Sequence, residues 1–144
     1  MRIIFLTLLF LTFSKIVMAE QDRFLLGGGL IHISKTSKTY FEIGVEYEHR
    51  FDQVWGMGAQ GNYIFSDPAI TLLAVPTLFI HPTQSILLNL SPLFEFGADN
   101  GNHVGGRVGG RATIPLGQMA IIPSIGVDLI NGGTNLIFGL GLQF

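Results

Sequence analysis

Two side chains in the first third of the chain have the types that acyl-transfer chemistry uses. His32 and Ser34 are two positions apart in the stretch LIHIS, so in an extended strand they share a face. A histidine placed there can take the proton of a serine hydroxyl and activate it as a nucleophile. An interfacial histidine beside a turn-forming serine is the other interpretation, and the sequence leaves both open.

Charged side chains that recur at every second position form a second candidate set. In YFEIGVEYEHRF, Glu42, Glu46, Glu48 and Arg50 lie on one face and apolar residues on the other. Because acids and arginines enclosed together must be paired or hydrated, we interpret the set as an ion-pair network. There are two alternatives. One is a narrow polar or proton-conducting path, and the other is acid-base chemistry by paired carboxylates, for which the sequence supplies no substrate pocket. The other members are Glu95, Arg107, Arg111 and Asp128.

The loop that joins two of the charged strands predicts their register. If residues 99–103 form a hairpin loop centred on its middle residue, Glu95 lies opposite Arg107 and Ser91 lies opposite Arg111. An acid would then lie beside a base on the same face.

Composition excludes several classes of function. The chain has no cysteine, so a disulfide framework, a thiolate metal site and a cysteine nucleophile are excluded. The net charge of -2 gives no basic footprint for nucleic acid. His49, His81 and His103 lie near separate turns without metal-ligand spacing, and we interpret them as interfacial or loop residues. No metal or other cofactor is predicted.

Residues 1–19 have the layout of a cleavable export signal. Arg2 precedes an apolar stretch over 3–13, and Val17, Met18 and Ala19 form a small-residue cleavage site. A membrane anchor is the rival interpretation, but an apolar run this short falls well below the roughly 20 residues that a spanning helix needs. We therefore predict a signal peptide over 1–19 and one domain over 20–144.

Apolar and polar residues alternate through most of residues 20–144, which predicts strands. Eight strands of about ten residues joined by seven short turns account for nearly all of it, in an all-β, antiparallel, up-and-down order. The segment from Ala69 to His81 alternates less cleanly, with Thr71 and Thr77 marking its polar side. Pro76, Pro92 and Pro123 fall in mid-strand, where we expect local bulges because proline donates no ladder hydrogen bond.

Glycine and charge decide which face is inside. The polar faces carry most of the strand glycines and all the strand charges, and the interior of an eight-stranded barrel is wide enough only for packed side chains. Only 12% of the residues are charged, while 48% are apolar. The apolar faces are therefore predicted to point outward into lipid, and a soluble lipocalin-like binder is the alternative. Aromatic residues are predicted at both rims: Phe51 and Trp55 at one, and Tyr40, Phe41, Tyr63, Phe65 and Phe96 at the other.

This pattern resembles the small eight-stranded bacterial outer-membrane barrels of the OmpA-transmembrane and OmpX class. The resemblance covers 20–144 and implies an outer-membrane location with outer-membrane lipid and lipopolysaccharide as neighbours. It also implies that the alternating C-terminal row is an assembly signal for the barrel-assembly machinery, although a purely lipid-facing row remains the simpler alternative. The row consists of Leu136, Phe138, Leu140, Leu142 and Phe144.

Three hypotheses of function follow. The favoured one is a non-enzymatic barrel with a structural or envelope-related role and a polar, ion-paired, filled lumen. The second is a lipid A-modifying hydrolase, because His32 and Ser34 resemble the dyad of outer-membrane lipid A deacylases, although no asparagine follows Ser34. The third is a small pore. Lys35 and Lys38 in the first loop are predicted to contact lipopolysaccharide phosphates.

Overall fold

The computed structural model describes residues 22–97 and 101–143, and their strands form one closed sheet. All pairings are antiparallel and join strands that are neighbours along the chain, except that two consecutive segments both pair with the strand that follows them, and the first strand pairs with the last. The strands are β1 Asp22–Ile33, β2 Lys38–Arg50, β3 Trp55–Ile64, β4 Ile70–Thr83, β5 Ile86–Phe96, β6 His103–Ala112, β7 Ile114–Leu116, β8 Met119–Ile130 and β9 Gly133–Gln143.

Segments β6 and β7 form one spanning strand that is interrupted at Thr113. Both pair with β8, β6 through Gly105 to Arg111 and β7 through Ile114 to Leu116. The barrel therefore has eight spanning strands, which confirms the predicted architecture. Within the described part of the chain, no helix is long and apolar enough to cross a membrane. The predicted signal peptide lies outside the described residues.

The two ends of the barrel are named here by the chain termini. The terminal end holds the start of β1, the end of β9 and the turns over 51–54, 84–85 and 117–118, and the distal end holds the other turns. The distal turn before β9 is Asn131–Gly132, in which both residues have positive φ (51° and 66°), as a two-residue type I′ hairpin requires. It pairs Ile130 with Gly133.

The outer face is apolar around the whole circumference. Its side chains are exposed to the surroundings, as the 60% exposure of Leu140 and the 52% exposure of Phe41 illustrate, and every spanning strand contributes at least one. The predicted rim residues Phe51, Trp55, Tyr63, Phe65 and Phe96 are exposed as well, and the rings of Tyr63 and Phe65 pack edge to face with centroids 5.1 Å apart. Tyr40 is an exception, because it packs inward against buried apolar residues.

A single-residue bulge in β4 changes which of its side chains face inward. The register slips by one residue against both β3 and β5 between Ala74 and Thr77. Leu72 and Ala74 are buried before the slip, and Thr77 is buried after it, together with Phe79 and His81. Thr71 and Thr77 therefore lie on opposite faces, which corrects the prediction that both mark the polar side.

The three mid-strand prolines all lie where the pairing of strands is interrupted. Pro76 lies in the bulge, and Pro92 on β5 lies opposite it, between the ladder positions of Leu90 and Leu93. Pro123 on β8 lies opposite the break between β6 and β7. The bulge expected at Pro76 is present. At Pro92 and Pro123 the proline's own strand has no bulge. The interruption lies in the neighbouring strand, which leaves no ladder hydrogen bond for the proline to donate there.

Thr77→Val tests the polar group that stabilises the bulge. The Thr77 hydroxyl donates a hydrogen bond of 2.9 Å to the buried carbonyl of Ala74. Losing it is expected to cost about 1–2 kcal/mol of unfolding free energy, measured by urea unfolding of the barrel in lipid vesicles. Thr71→Val on the exposed face of the same strand is the matched control, with an expected change within about 0.5 kcal/mol. Equal effects of the two substitutions would contradict the assigned faces.

Candidate functional site

Some strands line the lumen with glycines, and others line it with longer side chains. Gly27 on β1, Gly126 on β8 and Gly139 and Gly141 on β9 line one side of a cavity of about 100 Å³, and longer polar side chains reach toward it from the opposite strands. A cavity of this size has room for several water molecules. The glycines create space that any larger side chain would occupy.

The terminal half of the lumen holds a network around two glutamates. Arg111 on β6 forms ion pairs across the lumen with Glu46 and, at 3.8 Å, with Glu48 on β2. Nε2 of His81 lies 2.5 Å from Oε1 of Glu48, so the imidazole donates to the carboxylate. The side-chain amide of Gln60 donates to Glu46 at 2.5 Å. This network joins β2, β3, β4 and β6 across the interior.

The middle of the lumen is built around Arg107. Its Nε and Nη2 donate to the two carboxylate oxygens of Asp128 at 2.7 and 2.8 Å, and its Nη1 donates to the Asn62 side-chain oxygen at 2.6 Å. Arg107 and Asp128 are opposite each other on β6 and β8, and Asp128 is fully buried. The bidentate geometry gives this pair both strength and orientation.

The predicted register between β5 and β6 is wrong by four residues, although the predicted faces are correct. Glu95 lies opposite His103 and Ser91 lies opposite Arg107. Nε2 of His103 is 4.0 Å from the carboxylate of Glu95. The register of a hairpin is fixed by the length of its loop. The observed pairing means that this hairpin is centred closer to β5 along the chain than the sequence predicted.

Two of the eight predicted network residues make no ion pair with the described residues. Glu42 is 4% exposed, and its Oε2 atom has no hydrogen-bond partner among them. Arg50 donates to the backbone carbonyl of Gln53 at 2.8 Å, while its Nε is buried without a partner there. The other six, Glu46, Glu48, Glu95, Arg107, Arg111 and Asp128, each have an oppositely charged or imidazole partner.

The distal half of the lumen is closed by an apolar cluster, called the distal plug below. Its buried members come from six of the spanning strands, and partly buried Ile33, Tyr40 and Ile70 pack against them. Apolar side chains share the distal half with the buried Glu42, Glu95 and Asn135, so the predicted polar, ion-paired filling describes only part of the lumen. The buried members are Ile31, Ile64, Leu72, Ala74, Leu93, Ile130 and Ile137.

His81 is a lumen residue that the sequence analysis assigned to an interface or loop. It is 4% exposed and bonded to Glu48. It shares the inner face of Thr77 and Phe79, and its alternation with Thr77, which the sequence analysis placed on the polar side, was the available sign of that position. His103 bonds to the Asn131 side chain at 3.2 Å and His49 to Asp22 at 2.7 Å, so those two lie near the ends, as predicted.

His32 and Ser34 lie on the outer side at the distal end, because Ile31 and Ile33, which alternate with them, pack into the lumen. Nδ1 of His32 is 3.0 Å from the hydroxyl of Thr39, and the Ser34 hydroxyl accepts a bond of 3.1 Å from the Thr134 amide. Among the hydrogen bonds of residues 22–97 and 101–143, none joins His32 to Ser34. The predicted hydrolase dyad therefore stays a prediction, because no hydrogen bond among the described residues would let His32 activate Ser34.

The C-terminal row lies on the outer face of β9. Leu136, Phe138, Leu140 and Leu142 are 41%, 53%, 60% and 42% exposed. Phe144 lies outside the described residues. Among those that the structure describes, no three His, Asp or Glu side chains are grouped so that they could hold a metal ion.

Arg107→Met measures how strongly the lumen depends on pairing. It leaves the buried Asp128 carboxylate without its partner, which is expected to cost about 3–5 kcal/mol of unfolding free energy. The double variant Arg107→Met, Asp128→Leu removes both charges and is expected to recover most of that loss. Urea unfolding in lipid vesicles gives both values, and a double variant no more stable than the single one would refute the role of the ion pair.

Solved structures share this fold. The N-terminal β-barrel domain of Pseudomonas aeruginosa OprF matches with a TM-score of 0.61 at 10% identity, over 88% of this chain and 98% of that one. Ail, the attachment invasion locus protein of Yersinia pestis, crystallised with the heparin analogue sucrose octasulfate, matches with 0.57 at 12%, over 85% and 97%. Neisserial surface protein A matches with 0.57 at 10%, over 85% and 94%. At these identities the likeness shows the fold, which confirms the predicted eight-stranded transmembrane barrel architecture. No protein-family model and no curated protein matches the chain.

Proposed function

We propose that this chain is an integral protein of the bacterial outer membrane with a structural, envelope-related and non-enzymatic role. The observation that carries the proposal is the apolar outer face, which surrounds the whole barrel while most of the strand charges are enclosed. In water such a surface would drive aggregation, whereas in a bilayer it is solvated by lipid. The start of β1 and the end of β9 lie at the same end of the barrel, as they do with an even number of strands.

The distal plug argues for a structural role rather than transport. Leu72, Leu93 and Ile31 are at most 1% exposed, and ions do not cross a dry apolar constriction. Below the plug, Arg111 and Glu46 are joined across the lumen. A solute entering from the terminal end would therefore meet first a bridged network and then a closed apolar layer.

Two partners follow from this location. We infer that lipopolysaccharide phosphates contact Lys35 and Lys38 at the distal end, where Lys35 also donates to the Asn131 carbonyl. The barrel-assembly machinery would bind the row formed by Leu136, Phe138, Leu140, Leu142 and Phe144, four of whose side chains are exposed along β9.

Membrane fractionation with gel mobility tests the location and both partners. The unboiled protein from the outer-membrane fraction is expected to migrate differently from the boiled one, because a closed barrel resists detergent until it is heated.

Deleting 143–144 is expected to reduce the folded band, and Lys35→Gln with Lys38→Gln is expected to reduce the lipopolysaccharide that copurifies. Recovery of the intact chain in the soluble periplasm without a mobility shift would refute the proposal.

Planar-bilayer recordings test the sealed lumen. The purified barrel is expected to show no discrete conductance steps, whereas Leu72→Ser combined with Leu93→Ser is expected to wet the distal plug and produce them. Ile122→Ser is the matched control, since Ile122 is buried beside the cavity outside the plug and its substitution is expected to leave the barrel silent. Regular conductance steps from the unaltered protein would favour a pore instead.

A further inference from the structure

The terminal mouth of the lumen holds more guanidinium groups than carboxylates. Arg23 lies opposite Glu48 in the pairing of β1 with β2, and Arg50 lies two residues further along β2. Arg111 approaches from the other side of the lumen to Glu46 and Glu48. Among the described residues, three guanidinium groups therefore share two carboxylates at this end.

Both carboxylates are already engaged by other groups. Glu46 accepts from Arg111 and from the Gln60 amide. Oε1 of Glu48 accepts from His81, and its Oε2, 3.8 Å from Arg111, accepts no hydrogen bond from the described residues. The hydrogen bonds and ion pairs that these two carboxylates make with described residues therefore come from partners other than the two arginines nearest the mouth.

Arg23 and Arg50 retain unused donors. Nη2 of Arg50 donates to the Gln53 carbonyl, and its Nε has no hydrogen-bond partner in the described part of the chain. Arg23 has no hydrogen bond or ion pair there, and it interacts electrostatically with Arg50, Glu48 and Arg111. Two neighbouring cations with N–H groups that lack partners among the described residues therefore lie at this mouth.

Asp52 in the neighbouring turn does not neutralise them by direct bonding. Its Oδ1 accepts the backbone amides of Val54 and Trp55 at 2.7 and 2.8 Å. The bond from Val54, then that from Trp55 and the charge of Arg50, hold the pKa of Asp52 below its usual value. The carboxylate is ionised at neutral pH, and that oxygen caps the turn.

We propose that the terminal mouth of the lumen binds a small tetrahedral oxyanion of the phosphate class between Arg23 and Arg50. The planar guanidinium fork matches the oxygen spacing of such an anion and can bind it through two hydrogen bonds. Both arginines face the lumen rather than the outer face, so the anion enters from water. Because the distal plug closes the other end, the anion binds at the mouth without passing through.

Nuclear magnetic resonance of the folded, nitrogen-15-labelled barrel in nonionic detergent tests the site directly. Inorganic phosphate is expected to shift the Arg50 Nε–H resonance saturably, while chloride at matched ionic strength is not. The resonance is assigned by its absence in Arg50→Lys. If the resonance moves in phosphatidylglycerol nanodiscs but not with free phosphate, a lipid headgroup is the ligand and the proposal is overturned.

Variants separate a built site from general electrostatic attraction. Arg23→Gln is expected to weaken phosphate binding about tenfold, with folding verified by the mobility of the unboiled protein. Asn102→Asp lowers the net charge by one, as Arg23→Gln does, but in an exposed loop at the distal end, and it is expected to leave the affinity unchanged. No saturable shift, or equal weakening by both variants, would overturn the proposal. The readout needs only the folded barrel, so its failure is distinguishable from failure of the proposed location.

Discussion

The pairing of β1 with β9 is the constraint on which the rest of the structure depends. In hydrocarbon, every backbone N–H and C=O must be satisfied by the protein, so a spanning sheet has to close on itself. Gly27 and Gly29 on β1 lie opposite Gly141 and Gly139 on β9. A Cβ atom on Gly29 would lie 2.8 Å from the Cα of Gly139, which no real Cβ tolerates. Glycine at this seam therefore lets the two backbones approach closely enough to complete the barrel.

Closure with eight strands leaves a narrow interior, and the molecule fills its two halves by different means. The distal half packs a cluster of apolar side chains, as in the core of a soluble protein. The middle and the terminal half keep charges that are tolerable because Arg107 and Arg111 reach carboxylates on other strands. The same side chains that stabilise the barrel therefore obstruct it. Stability and the absence of an open path are two consequences of one packing arrangement.

Much of the site could be read from the residues, and its omissions have physical causes. Alternation assigned Glu46, Glu48, Arg107, Arg111 and Asp128 to one face, and the structure joins them by ion pairs across the interior. Alternation missed the distal plug, because an inward isoleucine at a strand end looks like a break in the pattern rather than part of a core. It also missed the lumen position of His81, because that residue lies near the turn over 84–85 and was assigned to the interface, although it shares the inner face of Thr77.

The sequence by itself determined the number of strands, their order and the outward direction of the apolar faces. These follow from a period of two residues and from turn length, which are local properties of the chain. Only the tertiary structure decided which charges meet. Arg111 reaches Glu46 across the lumen, and Glu95 lies opposite His103 rather than Arg107. Partners of this kind depend on register and closure, which arise from pairings between distant segments and leave no mark in local periodicity.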